Sequence, residues 1–250
     1  MFINNQAEKI KKANSLRYEN PNEVDGYIQE PYHALRISIG ISLLIKKIEE
    51  TKKEGRHNSK IKILELASST GTVAKRIREN TDCQLVASDI ERIPLSLADG
   101  KLLDILQLDA TENFPIKANS LDGIFMGELI EHIFDPMHTL SECYRTLRSK
   151  GLLLITTPNL AGLQDRISFL FGKSPRHINP LHEYLYLHIR PFTFNVLSLA
   201  LKKNGFNVVS VQSNYVRIRF SSGKRLDSRL LAKIFPKLGG SLIVLAKKEG

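Results

Sequence analysis

The chain has 250 residues, 36 Lys+Arg against 26 Asp+Glu, and a formal net charge of +10 at pH 7, a size for one domain with a full core or a core domain with a small cap. Its composition is ordinary for a soluble globular protein, and its longest apolar-rich window, Ile37 to Ile45, is far too short to span a membrane. Cys83 and Cys143 lack CxxC spacing and read as reduced and mostly buried, and the opening MFINNQAEKIKK has no apolar signal core, so a cytoplasmic protein is expected.

Residues 1–30 show no sustained apolar period and are expected to form a lead-in with one short helix. Pro31 suits the first turn of a helix to about Lys53, with Tyr32, Leu35, Ile39, Leu43 and Ile48 on its apolar face. The polar loop EGRHNSK (54–60) then feeds a short apolar strand containing Ile63, Leu64 and Leu66. A turn of small residues follows, Ala67-Ser68-Ser69-Thr70-Gly71, and a helix begins at Thr72. A strand that passes through minimal side chains into a helix N-terminus is a nucleotide-type binding corner. Backbone can approach a ligand there, and the free N–H groups of the helix start face it. The corner is not a dinucleotide fingerprint, because Ala67, Ser69 and Thr72 hold the three positions that would be glycine.

A second strand, Leu85-Val86-Ala87, ends at Ser88-Asp89, about 18 residues past Gly71. An acid at that place can accept hydrogen bonds from both hydroxyls of a ribose. Next come Leu106-Gln107-Leu108-Asp109-Ala110, the run SLDGIFMGELIEHIFDP (120–136) and the strand GLLLITTPN (151–159). Asp135 is a plausible N-cap with Pro136 at the first helical position, and Met137, Leu140, Tyr144 and Leu147 repeat at core spacing. Arg145, Arg148 and Lys150 are expected in the last turn of that helix, with Gly151 ending it. Thr193 caps a helix through Lys203 that stops at Gly205, and strands 206–212 and 241–247 close the sheet.

Read as Glu65-x-Ala67-x-Ser69-x-Gly71, the corner resembles the first motif of the class I S-adenosylmethionine-dependent methyltransferases, the group that includes ubiquinone-biosynthesis enzymes and methyltransferases of glycans and small molecules. The later segments follow in that family's order, and the resemblance covers about residues 31–248. It implies an α/β fold: a doubly wound, Rossmann-like sheet of seven mostly parallel strands, with an antiparallel edge strand and a small helical insert. The expected organisation is a lead-in over 1–30 and a methyltransferase domain over 31–250, with 160–190 as a lid or substrate insert. The implied cofactor is S-adenosylmethionine, held by Glu65, Ala67, Ser68, Ser69, Gly71, Asp89, Ile90, Asp109, Ala110 and Gly127. In this family the aspartate matching Asp109 contacts the adenine amine.

Methyl transfer from a sulfonium is an in-line displacement, so the protein mainly aligns the reactants, excludes water and takes a proton from the acceptor. His132 and His188 are the candidate bases. Glu128, Glu131 and His132 stand at i, i+3 and i+4, which a helical start would gather on one side. The pattern resembles two methyltransferase subgroups, of ubiquinone precursors and of small-RNA 3′ ends, that hold a divalent cation there. That resemblance implies a Mg2+ or other divalent-ion site of Glu128, Glu131, His132 and His188. The alternative is a metal-free pocket in which the Glu-His pair shapes the floor. His33, His177 and His182 read as structural or surface residues.

Two segments bear on partners. The insert carries Ile167, Phe169, Leu170 and Phe171 beside Arg166, Lys173 and Arg176, a pattern for an active-site lid, the favoured role, or an interfacial helix. Between Tyr215 and Leu238, seven cations face the single acid Asp227. Such a segment suits an anionic membrane surface, making the protein peripheral there, or nucleic acid; the alternative is a solvated basic rim. The expected acceptor is a small molecule, sugar or lipid-linked glycan. RNA is the alternative, and a third reading is a non-catalytic scaffold that has lost its cofactor.

Overall fold

The computed structural model describes residues 9, 12, 26–53, 60–91, 104–179, 181, 187–220 and 222–249. Most of the expected lead-in, the polar loop at 54–59 and His182 lie outside the described residues.

The chain builds helix α1 (Pro31–Lys53), strand β1 (Ile61–Leu66), helix α2 (Thr72–Asn80) and strands β2 (Cys83–Asp89), β3 (Asp104–Gln107) and β4 (Leu121–Gly127). Helix α3 (Pro136–Thr146), strand β5 (Leu147–Pro158), helix α4 (Leu163–Leu170) and helix α5 (Phe194–Lys203) follow. Strands β6 (Phe206–Gln212), β7 (Val216–Arg219) and β8 (Arg225–Ser228), the short helix α6 (Arg229–Ile234) and strand β9 (Ser241–Lys248) complete it. Seven strands form one sheet in the order β3-β2-β1-β4-β5-β9-β6. It is parallel through β5, and β9 runs antiparallel between β5 and β6. The expected doubly wound, mostly parallel sheet is therefore present, with its antiparallel strand β9 one place in from the edge strand β6.

The central strands are apolar throughout because both faces are covered. Ile61 and Ile63 of β1 pack on one side with Ile41, Leu44 and Ile48 of α1 and Val73 and Ile77 of α2. Leu64 and Leu66 pack on the other with Leu140 and Cys143 of α3 and Leu197 and Leu201 of α5. Gly40 lets α1 lie close on the sheet: a Cβ there would stand 2.9 Å from Leu154 and 3.3 Å from Phe125. Both cysteines are free and buried, as expected.

Three local expectations are corrected. The face that α1 buries centres on Arg36, Ile37, Gly40, Ile41, Leu44 and Ile48, so Leu35 and Ile39 are only half-buried. Helix α3 ends at Thr146 rather than near Lys150, because Leu147 already pairs with Leu121 in the sheet and Arg148 is drawn to Asp122 at 2.9 Å. Gly151 is thus a strand residue, and the left-handed turn falls on Lys150 (φ 64°). Strands β7 and β8 form an antiparallel hairpin within the basic segment, which composition alone did not reveal.

Candidate functional site

The strand order reverses between β1 and β4, and open α/β sheets bind ligands beside the carboxyl ends of such strands. The loop after β1 lies there. Its backbone is left-handed at Ala67 (φ 56°), Ser69 (φ 47°) and Gly71 (φ 74°), the three positions of the Ala67-x-Ser69-x-Gly71 pattern. Glycine takes that conformation freely, whereas alanine and serine take it at a cost of roughly 1–2 kcal/mol each. The loop is locked to the next strand: Ser68 N and Oγ donate to Ser88 O at 2.8 and 3.1 Å, and Ser88 Oγ donates to Glu65 O at 2.7 Å. Gly71 precedes the first turn of α2, where Lys75 N donates to its carbonyl at 2.9 Å.

Two carboxyls flank this loop. Asp89 ends β2 and accepts from Ser69 N at 2.8 Å and Glu91 N at 3.2 Å, one hydrogen bond on each oxygen. Burial raises its pKa. Glu65 is 3% exposed, and its Oε2 has no hydrogen-bond partner. Burial pushes this carboxyl up to about 8, against hydrogen bonds from Ser68 and Ala74 and with a smaller push from Asp89. The end of β3 joins the same edge, since Leu108 N donates to Asp89 O at 2.8 Å and Gln107 Nε2 to Ile90 O at 3.0 Å. Asp109 is folded onto Thr111, accepting from its N and Oγ1 at 2.8 and 2.7 Å, and Ala110 O accepts from Thr139 Oγ1 at 2.8 Å. The structure therefore brings Glu65, the 67–71 loop, Asp89, Ile90, Asp109 and Ala110 to one edge of the sheet. Gly127 ends β4 there too, packed so that a Cβ would meet Phe125 at 3.0 Å.

The segment from Glu128 to His132 is arranged differently from the expected helical start. Glu128 is left-handed (φ 51°), and its N–H donates to Thr156 O at 2.8 Å, extending the β4–β5 pairing by one residue. Only Ile130–His132 then make a short 3₁₀ turn. Glu128 consequently points to Arg36 at 2.7 Å and accepts from Thr156 Oγ1 at 3.3 Å, and it stands outside the remaining three of the proposed metal quartet. Arg36 is 3% exposed and also contacts His33 Nδ1 at 2.9 Å, while its Nε has no partner. Sequence reasoning missed Arg36. The available signal was an arginine next to Ile37 on a helix whose apolar residues recur at 37, 41, 44 and 48.

Glu131, His132 and His188 do come together: one donor atom from each lies within 4.8 Å of the others. Glu131 accepts from Thr157 Oγ1 at 2.9 Å through Oε2, and its Oε1 has no partner. Burial first, then the neighbouring Glu128, hold its pKa well above the carboxylate range. His132 packs edge-on to His188, with ring centroids 4.9 Å apart, and its Nδ1 is likewise without a partner. Burial and the neighbouring His188 lower His132 to about 3 against a hydrogen bond to Leu187, so the ring is neutral at physiological pH. His177, read from sequence as structural or surface, sits 6.4 Å from the His188 ring and 3.9 Å from Asp165. The 160–190 segment therefore supplies His188 to this cluster and His177 beside it.

The chain matches the family model described as a methyltransferase domain over residues 64–155. It is 31% identical over 101 residues to a probable S-adenosylmethionine-dependent methyltransferase of Mycobacterium tuberculosis, a match spanning 40% of this chain but only about a third (34%) of that relative's length. It is 27% identical over 175 residues to a ubiquinone/menaquinone biosynthesis C-methyltransferase of Citrifermentans bemidjiense, covering 64% of this chain and 74% of that one. Among solved structures, the Burkholderia thailandensis 1,6-didemethyltoxoflavin-N1-methyltransferase superposes with a TM-score of 0.65 over 98% of this chain and 90% of that one, at 13% identity. An S-adenosylmethionine-dependent methyltransferase of Archaeoglobus fulgidus gives 0.53 over 82% and 93%, at 20% identity. With the strand order, the loop after β1 and the acid ending β2 in place, the chain carries a methyltransferase domain over residues 64–155 and has the fold of the class I S-adenosylmethionine-dependent methyltransferases.

Proposed function

We propose that this protein transfers a methyl group from S-adenosylmethionine to an oxygen of a small molecule, sugar or lipid-linked glycan. The observation that carries the reading is the meeting of two half-sites at one sheet edge. One is a small-residue loop between the carboxyls of Glu65 and Asp89, and the other is a cluster of the buried Glu131 with the half-buried His132 and His188, of which His132 is held neutral. The first half fits the cofactor. Its ammonium and sulfonium groups are cationic, and Glu65 offers a buried carboxyl oxygen with no partner. Each Asp89 oxygen accepts one backbone hydrogen bond and keeps a lone pair for a ribose hydroxyl. Asp109 stands beside Asp89 for the adenine amine. When bound, the cofactor supplies an electrophilic methyl on sulfur.

The residues of the chain do the rest. The loop and the carboxyls fix the cofactor, and burial around Glu131 and His132 keeps water from the line of transfer. The neutral His132, or His188 beside it, takes the proton of the acceptor hydroxyl. At about 3, His132 is a weak base by itself. It gains basicity when Glu131 ionises beside it, which couples the two groups in proton removal.

The first test is calorimetry with S-adenosylmethionine, followed by transfer of labelled methyl groups to extract fractions. Absence of cofactor binding would leave a scaffold, and RNA as the labelled product would replace the acceptor class. A second reading is favoured by the unpartnered Glu131 Oε1 and His132 Nδ1: a divalent ion held by Glu131, His132 and His188. One carboxylate and two imidazoles leave an open coordination position and suit zinc, manganese or iron better than magnesium. In that case a chelator abolishes turnover and spares cofactor binding, whereas full activity of a metal-free preparation leaves the histidines acting alone.

A further inference from the structure

From the exposed side chains of the insert and the C-terminal hairpin unit, we propose a surface that docks onto an anionic lipid membrane. The inference is independent of the methyl-transfer reading. Helix α4 ends in Phe169, Leu170 and Phe171, which are 71, 80 and 73% exposed. Three consecutive large apolar side chains held in water at the end of a helix have no role in packing. They adjoin further apolar groups. Helix α4 packs against β7, with Arg219 N donating to Gln164 Oε1 at 2.5 Å. The β7–β8 hairpin carries Phe220 and Leu226 at 53 and 52% exposure, and α6 adds Leu230 and Ile234 at 67 and 58%. Helix α6 follows β8 directly and packs on β7, so the three elements make one continuous unit.

Charge names the partner. Exposed cations are interleaved with these apolar groups: Arg166 and Lys173 on the insert, Lys224 and Arg225 on the hairpin, Arg229 and Lys233 on α6. The one acid of the 215–238 segment, Asp227, is consumed internally by the two hydrogen bonds it accepts from Arg217 at 2.7 and 2.8 Å. Arg225 also lies 3.7 Å from Asp227 at the edge of that pair, while Lys224, Arg229 and Lys233 face the exterior. A protein partner would call for a flat or concave apolar patch, and nucleic acid would call for cations without protruding aliphatic groups. Apolar side chains that project between cations match a bilayer interface, where the apolar groups enter the acyl boundary and the cations meet anionic headgroups. No helix among the described residues is long and apolar enough to cross a membrane, so contact through this unit is interfacial.

The surface lies on the same insert that supplies His177 and His188 to the cluster beside Glu131. Docking there brings that end of the sheet to the lipid face.

The test is co-sedimentation of the full chain with vesicles of phosphatidylcholine alone and of phosphatidylcholine mixed with phosphatidylglycerol. Binding is expected only with the anionic vesicles, and it should weaken as salt rises. Replacing Phe169, Leu170 and Phe171 together by serine should weaken partitioning at least tenfold, with melting temperature unchanged. Replacing Lys224 and Arg225 by glutamine should weaken it roughly fivefold per cation. Failure to bind anionic vesicles at low salt would overturn the proposal. So would vesicle binding unchanged by the triple serine variant, which would mean charge attraction alone. Tight binding of single-stranded RNA that the serine variant retains, without vesicle binding, would mark a nucleic-acid surface instead.

Discussion

Replacing Glu65 by glutamine tests the cofactor corner through stability as well as through binding. The carboxyl is 3% exposed, burial pushes it up to about 8, and one of its oxygens has no partner. In the unfolded chain the same group titrates near the ordinary value of 4.5. Between these two values the folded state holds a proton that the unfolded state has released. Stability contributed by the protonated group is therefore complete below about 4.5, declines as pH rises, and is lost once pH passes about 8. At about 1.4 kcal/mol per tenfold, the interval corresponds to roughly 5 kcal/mol as a ceiling. Relaxation and water entry in a real interior reduce it to about 2–4 kcal/mol. The glutamine variant keeps the shape and cannot ionise. Urea denaturation should show it close to the parent near pH ~5 and about 2–4 kcal/mol more stable near pH ~8. A difference that does not change with pH would refute the buried, proton-holding carboxyl. The cationic cofactor should reverse the balance by favouring the carboxylate. Calorimetry near neutral pH in buffers of different ionisation enthalpy should then detect proton release on binding to the parent and not to the variant.

Asp89→Ala removes charge-assisted hydrogen bonds of roughly 1.5–3 kcal/mol each, so cofactor affinity should fall at least tenfold by calorimetry; unchanged affinity removes Asp89 from the ribose site. Ser69→Gly relieves a left-handed serine at φ 47° and should raise stability by about 0.5–1 kcal/mol, net of the added freedom of the unfolded chain, as read from the urea midpoint. Arg36→Met leaves Glu128 buried without its 2.7 Å partner and should cost about 3–5 kcal/mol, whereas the Arg36→Met, Glu128→Gln double variant should recover most of it. A single variant as stable as the parent would show that the pair contributes nothing.

The cofactor half of the site was legible because its chemistry is local in the chain. Ile63 to Ile77 places strand, loop and helix start within one stretch, and Asp89 follows at a fixed interval because β2 must pair beside β1. Even the substitutions in the loop were readable as small residues, although their left-handed backbone was not, since nothing in Ala67 or Ser69 announces a positive φ. The acceptor half was legible only as a set of residue types. The spacing of Glu128, Glu131 and His132 fits one side of a helix, yet the backbone bond from Glu128 to Thr156 holds that residue in the sheet and turns its side chain to Arg36. That contact joins residues 92 positions apart, and no local pattern encodes it. The β7–β8 hairpin was hidden because its strands are only four residues each: Val216-Arg217-Ile218-Arg219 alternates, but too briefly to stand out within a basic segment.

This division runs through the design of the protein. The matched family region, 64–155, contains the whole cofactor corner and ends just before Thr156 and Thr157, whose hydroxyls hold Glu128 and Glu131. The groups packed around Glu128, Glu131 and His132 arrive from both sides of that region: Arg36 from α1, and His177, His188 and Arg190 from the 160–190 segment. Arg190 N donates to Glu131 O at 3.0 Å, so the returning chain is pinned to the turn that carries the cluster. On the proposed reading, a change of acceptor is expected to involve α1 and 160–190, with the 67–71 loop and Asp89 left as they are. An exchange of the 160–190 segment with that of another member of the family should alter acceptor preference at nearly constant cofactor affinity. Loss of cofactor binding together with acceptor turnover in such a chimera would show that the two halves are not separable, and that the insert holds the cofactor corner in place as well.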